Sequence, residues 1–378
     1  MKSKPFNLGR RKLLTTVCRL APLLAAPALL THTGCSTLDE YLIEDEFDFN
    51  QEVIIIGGGI SGLYAAYELK KLKIPFRLFE AGSRWGGKIQ SLQSEEWGGY
   101  EFSKNDKVLL KLKKELDLET VNIDENSWRF KKGASILTQQ IFDVIEGLIP
   151  EKQVRRGYVL QSVSRIGRKY QLRFDVQGKQ KVFFARNVLL ALPKNRLLAL
   201  ESIDNVSELK NMVNYLKTVK DRVTMRIVLP LADVRQKKTD LSQIITADLN
   251  SRSRLGTIAA THFFNNKYHI TLSLKAEDPL RQVEALQKAI KPYMNDGFML
   301  DERSVKDWGS LPFGGGLDSR SLLNSQLNAL TQRQAAAIWP TQQLQVVNES
   351  LIRAQSGAIS TVEGLLRLVD DRLQFYKI

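Results

Sequence analysis

Gly57, Gly59 and Gly62 stand at the spacing G-x-G-x-x-G. They follow the apolar run Val53 to Ile56 and precede a helical pattern carried by Leu63, Ala66, Tyr67 and Leu69, with the small Ala65 beside it. In that order each glycine has a mechanical use: a tight turn, close approach of a pyrophosphate to the backbone, and a helix start packed tightly on its strand. The helix N-terminus, with Ser61 in its first turn, offers unpaired N–H groups and a positive dipole end to phosphate. A second apolar run, Phe76 to Phe79, ends in Glu80. Its carboxylate is placed to accept hydrogen bonds from a ribose 2′-hydroxyl, so strand, glycines, helix, strand and acid together describe a dinucleotide site.

After Glu80 the chain reads Ala81-Gly82-Ser83-Arg84-Trp85-Gly86-Gly87-Lys88. This resembles the E-A-x-x-R-x-G-G-R segment of the flavin-containing amine oxidases and their relatives. The resemblance implies FAD, with Ala81, Arg84, Gly86, Gly87 and Lys88 wrapping its pyrophosphate. Lys88 gives a point charge where the family has a planar guanidinium, a change that leaves phosphate binding possible. Further landmarks follow. Trp97 to Phe102 resembles the family's G-G-x-x-F stretch, and Gly133 to Leu137 its G-G-x-x-x-L; the short interval between them implies a reduced or rebuilt cap over the flavin. Val163 matches the position whose backbone meets adenine, although a generic antiparallel meander fits it nearly as well.

Three later positions carry the expected chemistry. Arg222 stands where the family has a lysine that holds a water near flavin N5. Arginine does not reproduce a small ammonium's water contact, which weakens the expectation of oxidase behaviour. Within Trp308 to Gly316, similar to the family's W-x-x-x-P-[YF]-x-x-G loop, Phe313 would be one wall of an aromatic cage that aligns an amine; a glycine-rich surface loop is the plain alternative. Leu344 to Glu349 sits where the family has a strand ending A-G-E, so Glu349 matches and Asn348 replaces glycine. Thr361 to Leu366 sits where it has V-E-G-A, with Leu365 in place of alanine. These larger residues would push the last helix back from the flavin or reshape the pocket.

The elements that would position these residues are, as the resemblance implies, those of an α/β fold, a Rossmann-like FAD-binding domain interleaved with a mixed α+β substrate domain. The expected parts are FAD-binding at 51–102, 131–200 and 340–378, and substrate-binding at 103–130 and 201–339. An amphipathic helix is expected over Val108 to Leu118 and a β-meander from Tyr158 to Pro193. The implied reaction is hydride transfer from a substrate C–H, next to an amine if the family holds, to flavin N5. Two other readings stand beside it: a flavin desaturase or oxidase of a lipid-like substrate, and a cell-envelope lipoprotein that retains FAD without catalysis.

Composition suits a globular protein, with 43% hydrophobic and 25% charged residues in 378. Six of the +14 net charges come from Lys2, Lys4, Arg10, Arg11, Lys12 and Arg19, in a stretch without acids. The rest is moderately basic, and no Lys/Arg run interleaved with aromatics points to nucleic acid. Residues 1–35 read as a targeting segment: Gly9 to Leu14 resembles a twin-arginine signal, and Thr33-Gly34-Cys35-Ser36 an imperfect bacterial lipobox, with His32 in place of leucine; an ordinary cleaved signal and an uncleaved anchor are the alternatives. The expected partners are therefore the twin-arginine export machinery, a membrane reached through a lipid on Cys35, and a small-molecule substrate. The expected location is the periplasm or cell envelope. Residues 36–50, with six acids and no base, read as a hydrated tether. Cys18 and Cys35 are the two cysteines, both in the targeting segment. The body thus has no thiol for a disulfide, a metal or a cysteinyl–flavin bond, and FAD is expected to be non-covalent. His262 and His269 are expected on a sheet face or the surface, and a metal site is not expected.

Overall fold

The computed structural model describes residues 42–43, 52–92, 95–99, 101–146, 153–218, 222–233, 257–264, 266–275, 284, 287–288, 290–300, 305–307, 343–348, 351 and 360–376. These belong to the compact unit Tyr41–Ile378. The targeting segment, Phe313 and Glu349 lie outside the described residues.

In chain order the described elements are β1 (Leu42–Ile43), β2 (Val53–Ile56), α1 (Ile60–Lys71), β3 (Phe76–Glu80), β4 (Gln90–Leu92), β5 (Glu95–Gly98), β6 (Phe102–Ser103) and α2 (Lys107–Glu115). Next come β7 (Thr120–Asn122), β8 (Ser127–Phe130), α3 (Ser135–Glu146), β9 (Val154–Arg156), β10 (Val159–Ile166), β11 (Lys169–Val176), β12 (Lys179–Ala185), β13 (Asn187–Leu190), α4 (Lys194–Leu198) and α5 (Lys210–Thr218). The remainder are β14 (Arg222–Pro230), β15 (Thr257–Phe264), β16 (Lys267–Lys275), β17 (Val305–Asp307), β18 (Leu344–Val346) and α6 (Thr361–Leu373).

Among the described residues, the central sheet has the order β18-β13-β2-β3-β9 and every pairing in it is parallel. Its strands are drawn from well-separated segments of the chain, and the sheet shows the mixed α/β, Rossmann-like fold class expected from the sequence. Val53, Ile54, Ile55 and Ile56 are all buried. That explains why β2 reads as an unbroken apolar run: a strand covered on both faces has no solvent side for polar residues. Burying each such side chain contributes about 1.5–3 kcal/mol. From β2 the order runs outward through β3 to β9, then returns to β13 on the opposite side of β2. The carboxyl ends of β2 and β13 therefore flank a topological switch point, where open α/β sheets bind ligands.

Helix α1 is buried from Ile60 through Leu69 and packs against α3 and α6. The β10-β11-β12 meander joins the same core through Phe79, Tyr158, Phe174 and Phe183, whose ring centroids lie as close as 4.9 Å. Strands β6, β8 and β7 form a small antiparallel sheet with an aromatic cluster of Phe102, Trp128 and Phe130. A separate antiparallel sheet has the order β15-β16-β14-β17. There His269 is fully buried, with Val228 and His262 as its cross-strand neighbours.

One expectation needs amendment. Within the stretch read as a hydrated tether, Leu42 and Ile43 pair in parallel with Lys181 and Val182 of β12. The acids around them hid two residues with strand-forming side chains, and the open edge of the meander supplies unpaired backbone groups to which such residues can bond.

Candidate dinucleotide-binding site

The turn after β2 is built by backbone packing too close for side chains. Gly57 has φ +108° and its Cα faces the carbonyl of Ala191, at the end of β13. A Cβ there would be strained by conformation and would collide with that oxygen. Gly62 lies over the carbonyl of Gly57, and a Cβ on it would fall far inside contact distance. Gly59 precedes α1, which has no side-chain cap and no acid in its first turn. Ser61 is buried in that turn. The helix end that faces the glycine turn therefore carries positive partial charge without a built-in counter-charge.

The second loop closes on the first through its backbone. The N–H of Gly86 donates to the carbonyl of Gly58 at 2.8 Å, Gly59 and Gly86 form a parallel bridge, and a Cβ on Gly87 would lie 3.0 Å from the Cα of Gly59. Arg84 ties this loop together through its carbonyls. Its guanidinium donates to the carbonyls of Trp85 (3.1 Å), Ile89 (3.3 Å) and Gly87. Burial lowers the Arg84 pKa, with the nearby Glu80 carboxylate pulling the other way. Ala81 and Lys88 are half-buried in the same loop.

Glu80 ends β3 and clamps both loops. One carboxylate oxygen accepts from the Gly58 N–H and the other from the Gly82 N–H, each at 2.6 Å. Each oxygen keeps a lone pair for a further donor. The neighbouring wall is β9 and the residues after it. Glu80 lies opposite Arg156, the Tyr158 N–H donates to the Glu80 carbonyl at 3.0 Å, and Arg156 Nη1 donates to the Ser83 carbonyl at 2.8 Å. Val163 lies farther along the meander, with its side chain buried opposite Leu172. Sequence reasoning did not single out Arg156 or Tyr158; β9 is only three residues long and its Val-Arg-Arg carries no clear period. Arg222 opens β14 opposite Lys275, in the separate antiparallel sheet.

Beneath the second loop, Glu96 is buried and its carboxylate receives the Ala134 N–H at the start of α3 and the Ser91 hydroxyl at 2.7 Å. Ser91 and Ser135 exchange backbone-to-hydroxyl bonds of 2.6 and 3.0 Å. On the far side of the switch point, Asn348 is 2% exposed and donates from Nδ2 to the Leu192 carbonyl at 2.6 Å. It thus ties the turn after β18 to the turn after β13. Gly57, Glu80, the Ala191–Leu192 turn and Asn348 all stand at the carboxyl edge of the parallel sheet, and the glycine loops form a close-packed backbone cradle in which a Cβ on Gly57 or Gly62 would collide while Gly59 keeps space beside it.

Residues 55–112 match the family of NAD(P)-binding Rossmann-like domains. The chain is 37% identical over 89 residues to flavin-containing amine oxidase A of Canis lupus familiaris, covering 22% of this chain and 17% of that protein. It is 40% identical over 82 residues to coproporphyrinogen III oxidase of Bacillus subtilis (strain 168), covering 19% and 17%. The matched region thus spans about a sixth of the length of these curated relatives. Over a much longer stretch the fold is similar to that of putrescine oxidase bound to putrescine: TM-score 0.58, 12% identity, 87% of this chain and 99% of the other. At that identity the similarity is one of fold.

Proposed function

We propose that the chain is an FAD-dependent oxidoreductase of the amine oxidase type. The observation that carries this reading is the paired glycine cradle under Glu80 at the switch point, in the region whose sequence is similar to flavin-containing amine oxidases. The residues present fit a dinucleotide. Gly57, Gly62, Gly86 and Gly87 let the two loops pack backbone to backbone, Gly59 has space beside its Cα where a pyrophosphate could approach, the uncapped start of α1 offers N–H groups, and Glu80 offers acceptors to a ribose. Ala81, Arg84 and Lys88 would shape the same loop. When bound, FAD would supply the hydride acceptor for a substrate C–H next to an amine.

The chain's own residues would orient and desolvate. Arg84 occupies the loop carbonyls of Trp85, Gly87 and Ile89, and the loop's N–H groups would be offered to the phosphates. Asn348 and the Ala191–Leu192 turn would fix the width of the crevice. Arg222 and Phe313 are proposed for the reaction side, Val163 and Glu349 for further contacts to the cofactor, and the interleaved division into FAD and substrate domains belongs to the same proposal. So do non-covalent attachment, export by a twin-arginine signal, and a lipid at Cys35 in the cell envelope.

The test is anaerobic mixing of the flavin-loaded protein with a panel of primary amines and polyamines, monitored by bleaching of the flavin absorbance. Reduction by an amine supports the reading. A second reading has its own observation: the coproporphyrinogen III oxidase match covers a similar share of the chain at a similar identity. Bleaching by reduced apolar or macrocyclic substrates, and not by amines, would favour a non-amine oxidation on the same cofactor.

A further inference from the structure

Between Arg84 and the Gly86–Gly87 pair stands Trp85, a bulky aromatic in a loop otherwise built from glycines. Its indole lies directly over Gly58: a Cβ added to that glycine would come within 2.6 Å of Trp85 Cζ3, closer still to Cε3, and 3.0 Å from the Cβ of Glu80. The ring cannot simply swing away. It stacks on Phe142 of α3, with centroids 5.1 Å apart and planes 23° from parallel, and both rings pack against the core. Trp85 therefore touches the first glycine loop, backs onto the helix behind the second, and borders the acid that clamps both.

We propose that Trp85 is a positioning residue that holds the second glycine loop on the first, sets affinity for the dinucleotide, and dictates glycine at position 58. The proposal rests on the reading of the cradle as an FAD site. Without the indole, the second loop keeps its Gly86-to-Gly58 hydrogen bond and the Arg84 contacts but loses the wedge that fixes its distance from α3. The loop then samples other positions, and FAD must order it on binding. With the indole present, Gly58→Ala has a comparable effect from the other side, because the new methyl and the ring compete for one space.

The experiment is a double-mutant cycle on the full chain, read as the Kd for FAD by quenching of flavin fluorescence. Trp85→Ala is expected to weaken FAD binding about tenfold or more, and Trp85→Phe to recover most of it, since Phe retains a stacking face for Phe142. Gly58→Ala alone is expected to weaken binding by about tenfold as well, yet to add less than about twofold in the Trp85→Ala background, where the ring is gone. Thermal unfolding without FAD monitors the fold. A general structural loss would lower the unfolding temperature in proportion to affinity, whereas loop positioning lowers affinity with little change in that temperature. Wild-type binding left within twofold by Trp85→Ala, or additive effects of the two substitutions, would overturn the proposal alone. A wild type that takes up no FAD would overturn the dinucleotide reading and this proposal with it.

Discussion

The glycine cradle around β2 and the pairing of α6 with α2 are both held by exact fits to backbone groups, achieved by opposite means. The cradle works by omission: Gly57, Gly62 and Gly87 let carbonyls and Cα atoms approach where a Cβ would not fit. The terminal helix works by side chains. Glu363 of α6 is fully buried and its carboxylate accepts the N–H groups of Val108 and Leu109, at 3.1 and 2.9 Å, together with Arg367 Nε at 2.6 Å. In return Asp106, just before α2, accepts the Ser360 N–H at 2.9 Å, and Ser360 caps α6 through the Glu363 N–H at 3.1 Å. Each helix thus fills the other's N-terminal donors, which are unpaired in any isolated helix. What the difference teaches concerns tolerance. A site made of absent side chains fails on any addition, and one made of long-range side-chain bonds fails on removal.

The sharpest break in that comparison is Gly62→Ala. Its methyl would overlap the Gly57 carbonyl, so the turn cannot form as it is. Loss of FAD binding is expected with a destabilisation above about 4 kcal/mol, measured by flavin titration and denaturant unfolding. Glu363→Ala comes next. It leaves the Val108 and Leu109 N–H groups without this acceptor and takes one partner from Arg367, which also donates to the Asn105 carbonyl, and a cost of about 2–4 kcal/mol is expected in denaturant unfolding. A cost below about 1 kcal/mol would show that the α2–α6 clasp is dispensable.

Asn348 joins the two regions and sharpens the contrast. Removing its amide with Asn348→Ala unties the turns after β13 and β18. A loss of about 1–2 kcal/mol is expected, because the Leu192 carbonyl loses this donor at a part-buried position. If a Gly at this position instead opens the crevice, Asn348→Gly should change KM for substrate more than the unfolding temperature.

The smallest effect is one of pH. Burial raises the Asp106 pKa, and Glu363 adds to it, against the pull of the hydrogen bonds from Ser360 and Ser103. A carboxyl whose folded pKa lies above its unfolded value of about 3.9 contributes stability that is fully present below that pH, and the contribution is lost as pH rises through the folded value. Asp106→Asn should therefore remove an acid-side component from the curve of stability against pH. Thermal unfolding from pH 3 upward checks it, and identical curve shapes for variant and wild type would contradict the assignment.

The cradle was legible in the sequence for the reason it is fragile. Its chemistry is backbone chemistry over a short span, so spacing alone encodes it, and β2, α1, β3 and Glu80 fall where the glycines and apolar runs place them. Glu363 and Asn348 were visible as letters in a family-like pattern, but their partners lie 255 and 156 residues away. No local period records such a bond. Tyr158 and Arg156 escaped for a related reason: a three-residue parallel strand is identified by the neighbour it joins, and its own residues carry too little pattern. Arg84 was assigned to phosphate by resemblance, and the structure adds a use for it in holding the loop's carbonyls.

The most direct measurement is the visible absorption spectrum of the purified full-length protein, before and after denaturation and removal of the polypeptide. The account predicts a flavin spectrum that passes wholly into the protein-free fraction as FAD. A colourless protein that takes up no added FAD would contradict it.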